Sequence, residues 1–344
     1  MVRLSALHSG GLRFNVLKAL GGLSLLALLF CGAVLLLGKH GDQDTSPAMD
    51  RPSFIFLASL GTFYFILASA LDAFAPMLAD GGHLAAVLPT ALAAILITML
   101  FGRRQGIIVT MALGMSLMIA TRMDPLSLVE VMASGLASVL LAGRTEKRVD
   151  LIRSGAYLAA IQLSVGFALG AFTGRGFFPS VVSGLWSAMN GFFCSVLALG
   201  FLPVLEQWLN AATLFRLQEL SDLNSPALKR LLSVAPGTYS HSVTVAHLAE
   251  SACRAIGADP ILARVGAYYH DIGKIEQPEY FIENQSGYNK HDEINPRLSA
   301  TVLRSHVKFG LERADALRLP AAIRAIIAEH HGTSIIGYFF AQAQ

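Results

Sequence analysis

Five histidines and one aspartate in the last third of the chain are the residues best equipped for chemistry: His241, His270, Asp271, His306, His330 and His331. Imidazole nitrogens and carboxylate oxygens are ligands for hard-to-borderline divalent metals. Two pairs stand side by side, His270-Asp271 and His330-His331, and the first runs on into Ile272-Gly273-Lys274. A carboxylate has two oxygens, so Asp271 can bridge two metals. Two bridged metals, typically about 3.5–4 Å apart, are a device for cutting a phosphodiester, because together they polarise phosphoryl oxygens and bring water toward ionisation at neutral pH. A lone histidine in a helical domain is usually a hydrogen-bonded structural residue, so the inference rests on the set. His247 follows His241 by six residues, off the same helical face, and reads as structural. His291 sits in a polar stretch and reads as a solvated residue or a substrate contact. Lys274, three residues past Asp271, can reach a phosphate; the plainer alternative is a surface lysine.

Helices must carry these ligands. Asp259-Pro260 is an N-cap followed by a first-turn proline, and Leu262, Val265 and Tyr269 give the helix after it an apolar face that delivers His270-Asp271 at its end. Asn295-Pro296 opens the next helix, expected to carry His306 and to stop at Gly310. Pro320 opens another, with Ile323, Ile326 and Ile327 as its buried face and His330-His331-Gly332 at its end. No useful length of alternating β pattern is present, so a helical bundle with inward-facing ligands is expected.

The rest of the chain says where this bundle sits. Of 344 residues, 54% are hydrophobic and 14% charged, with a mean hydropathy of +0.55. That balance excludes an ordinary soluble protein. Seven of the ten histidines lie from residue 241 onward, and long uncharged runs fill the first two thirds. A net charge of +3 is too small to argue for a nucleic-acid polymer as partner, and Cys31, Cys194 and Cys253 form neither a disulfide framework nor a CxxC site. A span needs about 20 mostly apolar residues. Ala19–Gly38, Pro52–Leu71, Leu84–Gly102, Ser154–Gly174 and Gly176–Leu205 qualify; Gly106–Thr121 is short and Pro125–Gly143 carries Glu130. Seven spans are expected, over residues 1–205. Arg103-Arg104, then Arg144, Lys147 and Arg148, then the basic stretch after the last span fall on one side, which the positive-inside rule makes cytosolic. The same count leaves the basic N-terminal segment, with Arg3, Arg13 and Lys18, outside. Asp72 and Glu130 lie at or within spans. Each is a functional candidate by default, against the plainer readings of an interfacial residue and a helix–helix contact.

Residues 206–234 change character. Leu214, Leu217, Leu220 and Leu223 recur at three-residue steps among polar residues, predicting an amphipathic helical segment. Asn224-Ser225-Pro226 then interrupts it and starts a second helix ending near Val234. A structured joint is expected, as either a transmitter of motion or a packing element. Residues 235–344 form the helical domain with the metal ligands.

Residues 199–341 resemble the membrane-bound HD-domain phosphohydrolases with a seven-helix membrane region, the bacterial cyclic di-AMP phosphodiesterase family. The matching stretches are Ala235-Pro236-Gly237-Thr238-Tyr239-Ser240-His241-Ser242, Val265-Gly266-Ala267-Tyr268-Tyr269-His270-Asp271-Ile272-Gly273-Lys274, Phe281-Ile282-Glu283-Asn284-Gln285 and His330-His331-Gly332-Thr333. The resemblance implies an all-α chain in a bacterial plasma membrane with a cytosolic HD domain. It implies two divalent transition metals, iron or manganese: His241 and His270 on one, Asp271 bridging, and His306, His330 and His331 on the other. Asp271 and Lys274 are the implied catalytic residues, and the implied reaction opens cyclic di-AMP to the linear dinucleotide. The Gly-Tyr-Pro signature of the cyclic di-GMP branch is absent: Gly287-Tyr288 is followed by Asn289. The family also carries a large external domain after a first span and a further metal-binding aspartate beyond the His-His pair. Neither stands in these 344 residues, so a fragment, or a form lacking its last ligand, is expected. Two other functions stay open: a non-catalytic transducer with a nucleotide-binding HD domain, and an HD phosphohydrolase of another nucleotide. A homodimer is a further option.

Overall fold

The computed structural model describes residues 51–74, 87–120 and 125–343. Among them every regular element is helical. The expected first span, Ala19–Gly38, lies outside the described residues, as do Arg122 and the loop near Ala79. The chain falls into two compact units, Met1–Val204 and Leu205–Gln344.

The first unit holds α1 (Arg51–Phe74), α2 (Thr90–Phe101), α3 (Arg103–Ala120), α4 (Pro125–Ala142), α5 (Arg148–Phe172) and most of α6 (Phe177–Trp208). Four of these, α1, α4, α5 and α6, are long and apolar enough to cross a membrane. Their outward faces carry large apolar side chains, including Phe63, Leu140, Leu163 and Trp186, as lipid rather than water requires. Helices in lipid associate through close packing of small residues and interhelical hydrogen bonds. Gly184 on α6 shows the first: a Cβ there would lie 2.6 Å from the Leu163 carbonyl oxygen of α5. The second joins α1 to α2 through the hydroxyls of Tyr64 and Thr90 at 2.7 Å, and α5 to α4 through Gln162 and Ser134 at 2.5 Å. Buried Glu130 faces a helix neighbour, accepting from Ser187 of α6 at 2.6 Å. The described helix inside Leu84–Gly102 is only the 12 residues of α2, buried on most sides. At 1.5 Å per residue this is about 18 Å, against a hydrocarbon core of about 30 Å. Pro89 caps its start and sets the boundary.

The second unit contains α7 (Leu214–Leu220), α8 (Pro226–Val234), α9 (Pro236–Ile256), α10 (Pro260–Tyr269), a run of short 3-10 turns between Ile272 and Glu293, α11 (Pro296–Ala316), α12 (Ala321–Glu329) and α13 (Gly337–Ala343). The amphipathic pattern of 206–234 resolves into α7 and α8, with Leu217, Leu228 and Leu231 buried in one core with Val265, Tyr269, Ile272, Ile323 and Ile327. The stretch read as a joint thus packs into the same core as the helices that bear the histidines. The Asp259 side chain accepts from the backbone N–H groups of Ile261 and Leu262, both at 3.0 Å, and starts α10 as expected. Asn295 caps α11 through the Leu298 N–H at 2.8 Å. That helix does not stop at Gly310 but runs on to Ala316. Gly310 lies inside it and faces Gly273 and Ile327, so its missing side chain serves packing rather than termination.

Candidate metal centre

Four helices deliver the six residues. His241 lies in the second turn of α9, His270 caps the end of α10 with Asp271 after it, His306 is mid-way along α11, and His330-His331 follow α12. The turn after Asp271 approaches α11 so closely that a Cβ on Gly273 would lie 2.0 Å from the His306 carbonyl oxygen. Only glycine permits that approach, and the approach brings Asp271 and His306 together.

The side chains converge as two groups around one carboxylate. Asp271 Oδ2 lies 3.1 Å from His270 Nε2 and 4.0 Å from His241 Nε2. Asp271 Oδ1 lies 3.5 Å from His306 Nε2 and 3.7 Å from His330 Nε2. His306 Nε2 is in turn 3.3 Å from His330 Nε2 and 3.1 Å from His331 Nε2. Within each group, His241-His270-Asp271 and His306-His330-His331, the ligand atoms lie within 4.8 Å of one another. Each group pairs buried residues with an exposed histidine, His241 or His331, so both are open to solvent.

Three of the rings are oriented in the same way. His270 Nδ1 lies 2.7 Å from the Ala267 carbonyl oxygen, His330 Nδ1 lies 2.9 Å from that of Ile327, and His306 Nδ1 bonds that of Leu303. A carbonyl can only accept, so in the neutral ring the proton sits on Nδ1 and the bare Nε2 lone pair points inward. This is how histidine is prepared to ligate a metal. Unprotonated Nε2 atoms of His306 and His330 face each other and the Asp271 carboxylate, an arrangement that repels itself without a cation. Asp271 Oδ1 is buried and has no hydrogen-bond partner. An orphaned carboxylate oxygen beside inward imidazole lone pairs is a fit for a divalent cation.

For Asp271, His306 and His330 the electrostatics favour that state. Burial alone would raise the Asp271 carboxyl, but hydrogen bonds and charge from His270 and Lys274 outweigh it and hold the group well below the usual carboxylate range. Burial, then neighbouring His331, pushes the His330 imidazole down to about 4; burial likewise lowers His306. His270 is buried too, yet the hydrogen bond and charge of Asp271 raise it.

Lys274 is no surface lysine. Its Nζ lies 2.9 Å from Asp271 Oδ2 and 2.8 Å from Glu283 Oε1, with the Phe281 ring centroid 4.8 Å away. Burial would lower it, but Asp271 and Glu283 raise it, so it stays a cation. Glu283 also accepts from the Thr238 hydroxyl at 2.9 Å, and Asn284 Nδ2 donates to that hydroxyl at 2.8 Å. Reasoning from residue types assigned no role to Glu283, Thr238 or Asn284; their presence in the matching stretches was the available signal. His247 is exposed and outside both groups. His291 is outside them too: its Nε2 lies 2.9 Å from the Tyr280 carbonyl oxygen, and its ring packs on Tyr280 and Phe339.

Residues 17–213 match the family model described as 7TM receptor with intracellular HD hydrolase, and residues 238–338 match that of the HD domain. The chain is 31% identical over 342 residues to the cyclic-di-AMP phosphodiesterase PgpH of Bacillus subtilis, covering 96% of this chain and 47% of that protein. It is 30% identical to PgpH of Listeria monocytogenes, covering 95% of this chain and 46% of the relative. It therefore spans about half the length of these curated relatives. The crystal structure of the L. monocytogenes PgpH HD domain in complex with cyclic-di-AMP is 47% identical over 35% of this chain and 56% of that one, with a TM-score of 0.34.

Proposed function

The chain belongs to the family of 7TM receptors with an intracellular HD hydrolase, and on that footing we propose that it is a membrane-anchored, metal-dependent phosphodiesterase that opens a cyclic dinucleotide, cyclic di-AMP, to the linear dinucleotide. The observation that carries this reading is Asp271, whose two oxygens face different histidine groups and whose Oδ1 is buried without a partner. His241 and His270 would hold one divalent ion, His306, His330 and His331 the other, and Asp271 both, with iron or manganese as the metals. When bound, the ions supply Lewis-acid polarisation of the phosphoryl oxygens and lower the pKa of water.

The chain's own residues do the rest. Backbone carbonyls fix the rings of His270, His306 and His330, so no reorganisation is needed as charge develops. Lys274, held as a cation beside Asp271, neutralises charge on a non-bridging phosphoryl oxygen. Phe281 packs against His306, with ring centroids 5.7 Å apart, and keeps that side of the centre apolar. In the net reaction water oxygen bonds to phosphorus, the bond from phosphorus to the 3′ oxygen breaks, and that oxygen takes a proton. The choice of adenine comes from the relatives' names, not from these side chains.

We place seven spans in 1–205, the linking helices in 206–234 and the HD domain in 235–344, on the cytosolic side of a bacterial plasma membrane. Arg103, Arg104, Arg144, Lys147 and Arg148 support that side. Single cysteines at positions 104 and 144 should be labelled only from the cytosol; labelling from outside reverses the topology.

The deciding experiment strips the purified chain of metal, reloads it with Mn2+ or Fe2+, and follows cyclic di-AMP by chromatography. Turnover is expected from the wild type. Asp271→Asn should lower it by more than about a hundredfold, beyond the cost of losing an outer-shell partner, with helix content and membrane insertion intact. Hydrolysis surviving in Asp271→Asn rejects the site. Binding without turnover by the wild type makes the chain a transducer, and faster turnover of another nucleotide reassigns the substrate. The mass of the same preparation reads whether it is a dimer.

A further inference from the structure

The end of α6 and the start of α12 are far apart in sequence, yet one side chain holds both. After Trp208 the chain turns through Asn210, a non-glycine residue at φ 50°. The Thr213 side chain caps α7 and donates to the buried Glu206 carboxylate, closing the turn back onto α6. Arg216, in the first turn of α7, then forks. Its Nη1 donates to the Glu206 carbonyl oxygen at 2.8 Å, and its Nη2 donates to the carbonyl oxygen of Arg318. Arg318 is itself left-handed, at φ 51°. It sits in the turn between α11 and α12, where the Leu319 N–H bonds the Ala314 carbonyl oxygen at 2.9 Å and Pro320 caps α12. Two residues with left-handed backbone, each uncommon outside glycine, thus flank the two carbonyls that one guanidinium joins.

We infer that Arg216 is a positioning residue: its fork fastens the end of α6 to the turn that launches α12, and so sets where His330 and His331 stand. α12 is a single nine-residue helix, and a short helix moves as a rigid rod, so a shift of its capped end reaches the histidines at the other. The remaining ligands do not ride on this arm. His241 is on α9, His270 and Asp271 end α10, and His306 is mid-way along α11. Lysine cannot replace the fork, since a single ammonium on a flexible stem does not present two fixed arms.

The inference rests on the proposed metal role of the two groups, and the test separates the two ideas. The metal-free full chain is titrated with Co2+ and followed by visible absorption, with His241→Ala and His331→Ala assigning each equivalent to its group. Arg216→Met should weaken the His331 equivalent by about tenfold, the size of one lost hydrogen bond to a charged group, and leave the His241 equivalent unchanged. Arg216→Lys should fall between Arg216→Met and the wild type. Equal affinity across the three proteins, or parallel loss of both equivalents, overturns the clamp. If Arg216→Met does not fold, Arg216→Lys alone decides by the same criterion. A wild type that takes up no cobalt overturns the metal reading instead.

Discussion

The two units build helix bundles with opposite surfaces. Among the described residues of Met1–Val204 the outward faces are apolar, and hydroxyls bond back to their own helix, Thr62 to Ala58, Ser116 to Ala112 and Ser138 to Ser134, as Thr244 and Ser251 also do in the second unit. In Leu205–Gln344 charged side chains reach between elements: Lys274 to Glu283, Arg216 to Arg318, Arg313 to Glu276. The difference follows from the solvent. In hydrocarbon a polar group must be satisfied within the protein, and the simplest partner is the carbonyl one turn back. In water, charge is tolerated at the surface, so it can be gathered where chemistry needs it. The metal centre therefore belongs to the unit whose polar groups tie separate helices together.

Replacing an exposed apolar residue by lysine in each unit tests that contrast most severely. Phe63 is 61% exposed and Leu248 is 67% exposed. Phe63→Lys should cost about 3–4 kcal/mol of insertion free energy, whereas Leu248→Lys should change stability by less than about 0.5 kcal/mol. Similar costs at both sites, measured by membrane insertion and denaturant unfolding, would erase the distinction.

A second effect of similar size belongs to the HD unit alone. Burial, then His331, pushes the His330 imidazole down to about 4 in the folded chain from an ordinary 6.5. Between those values the unfolded chain binds a proton that the folded chain refuses. Its contribution, at most about 3 kcal/mol and less once solvent screens the half-buried ring, is therefore present above pH 6.5 and lost as pH falls toward 4. His270, raised by Asp271, acts in the opposite sense and offsets part of it. Unfolding of the chelated protein should show this acid loss, and His330→Gln should flatten it; an unchanged pH slope in the variant rejects the assignment.

Gly273→Ala probes the closest approach in the centre. The new Cβ must push the turn away from α11, separating Asp271 from His306, so metal affinity should fall by about 10–100-fold, as read by chelator competition. Unaltered affinity would show that the approach is not required. Glu283→Gln is the mildest: it removes the charge behind Lys274 but keeps an acceptor for Thr238. About a tenfold fall in kcat/KM is expected at constant metal content. Loss of metal instead would make Glu283 a support of the ligands rather than of Lys274.

Much of this was legible in residue types. The caps Asp259 and Asn295 and the prolines after them placed α10 and α11, the leucine spacing announced α7, and Asn224-Ser225-Pro226 announced α8. Gly310 was misleading because a glycine that ends a helix and one that lets another strand of backbone approach look alike in sequence. The run Leu84–Gly102 is apolar throughout, yet its described helix begins only at Thr90, since hydropathy measures what a segment tolerates and not where Pro89 allows it to start. Glu283 escaped notice because its partners are long-range: Lys274 lies nine positions before it and Thr238 forty-five.

The sequence alone determined which atoms could bind metal and which stretches prefer lipid, because those properties belong to side chains and to short runs of them. Tertiary structure alone decided that the Asp271 oxygens face separate histidine groups, that Lys274 is wedged between two carboxylates, and that Arg216 joins the end of α6 to the start of α12. Those relations depend on how helices pack across long sequence separations, and no local pattern encodes a distance.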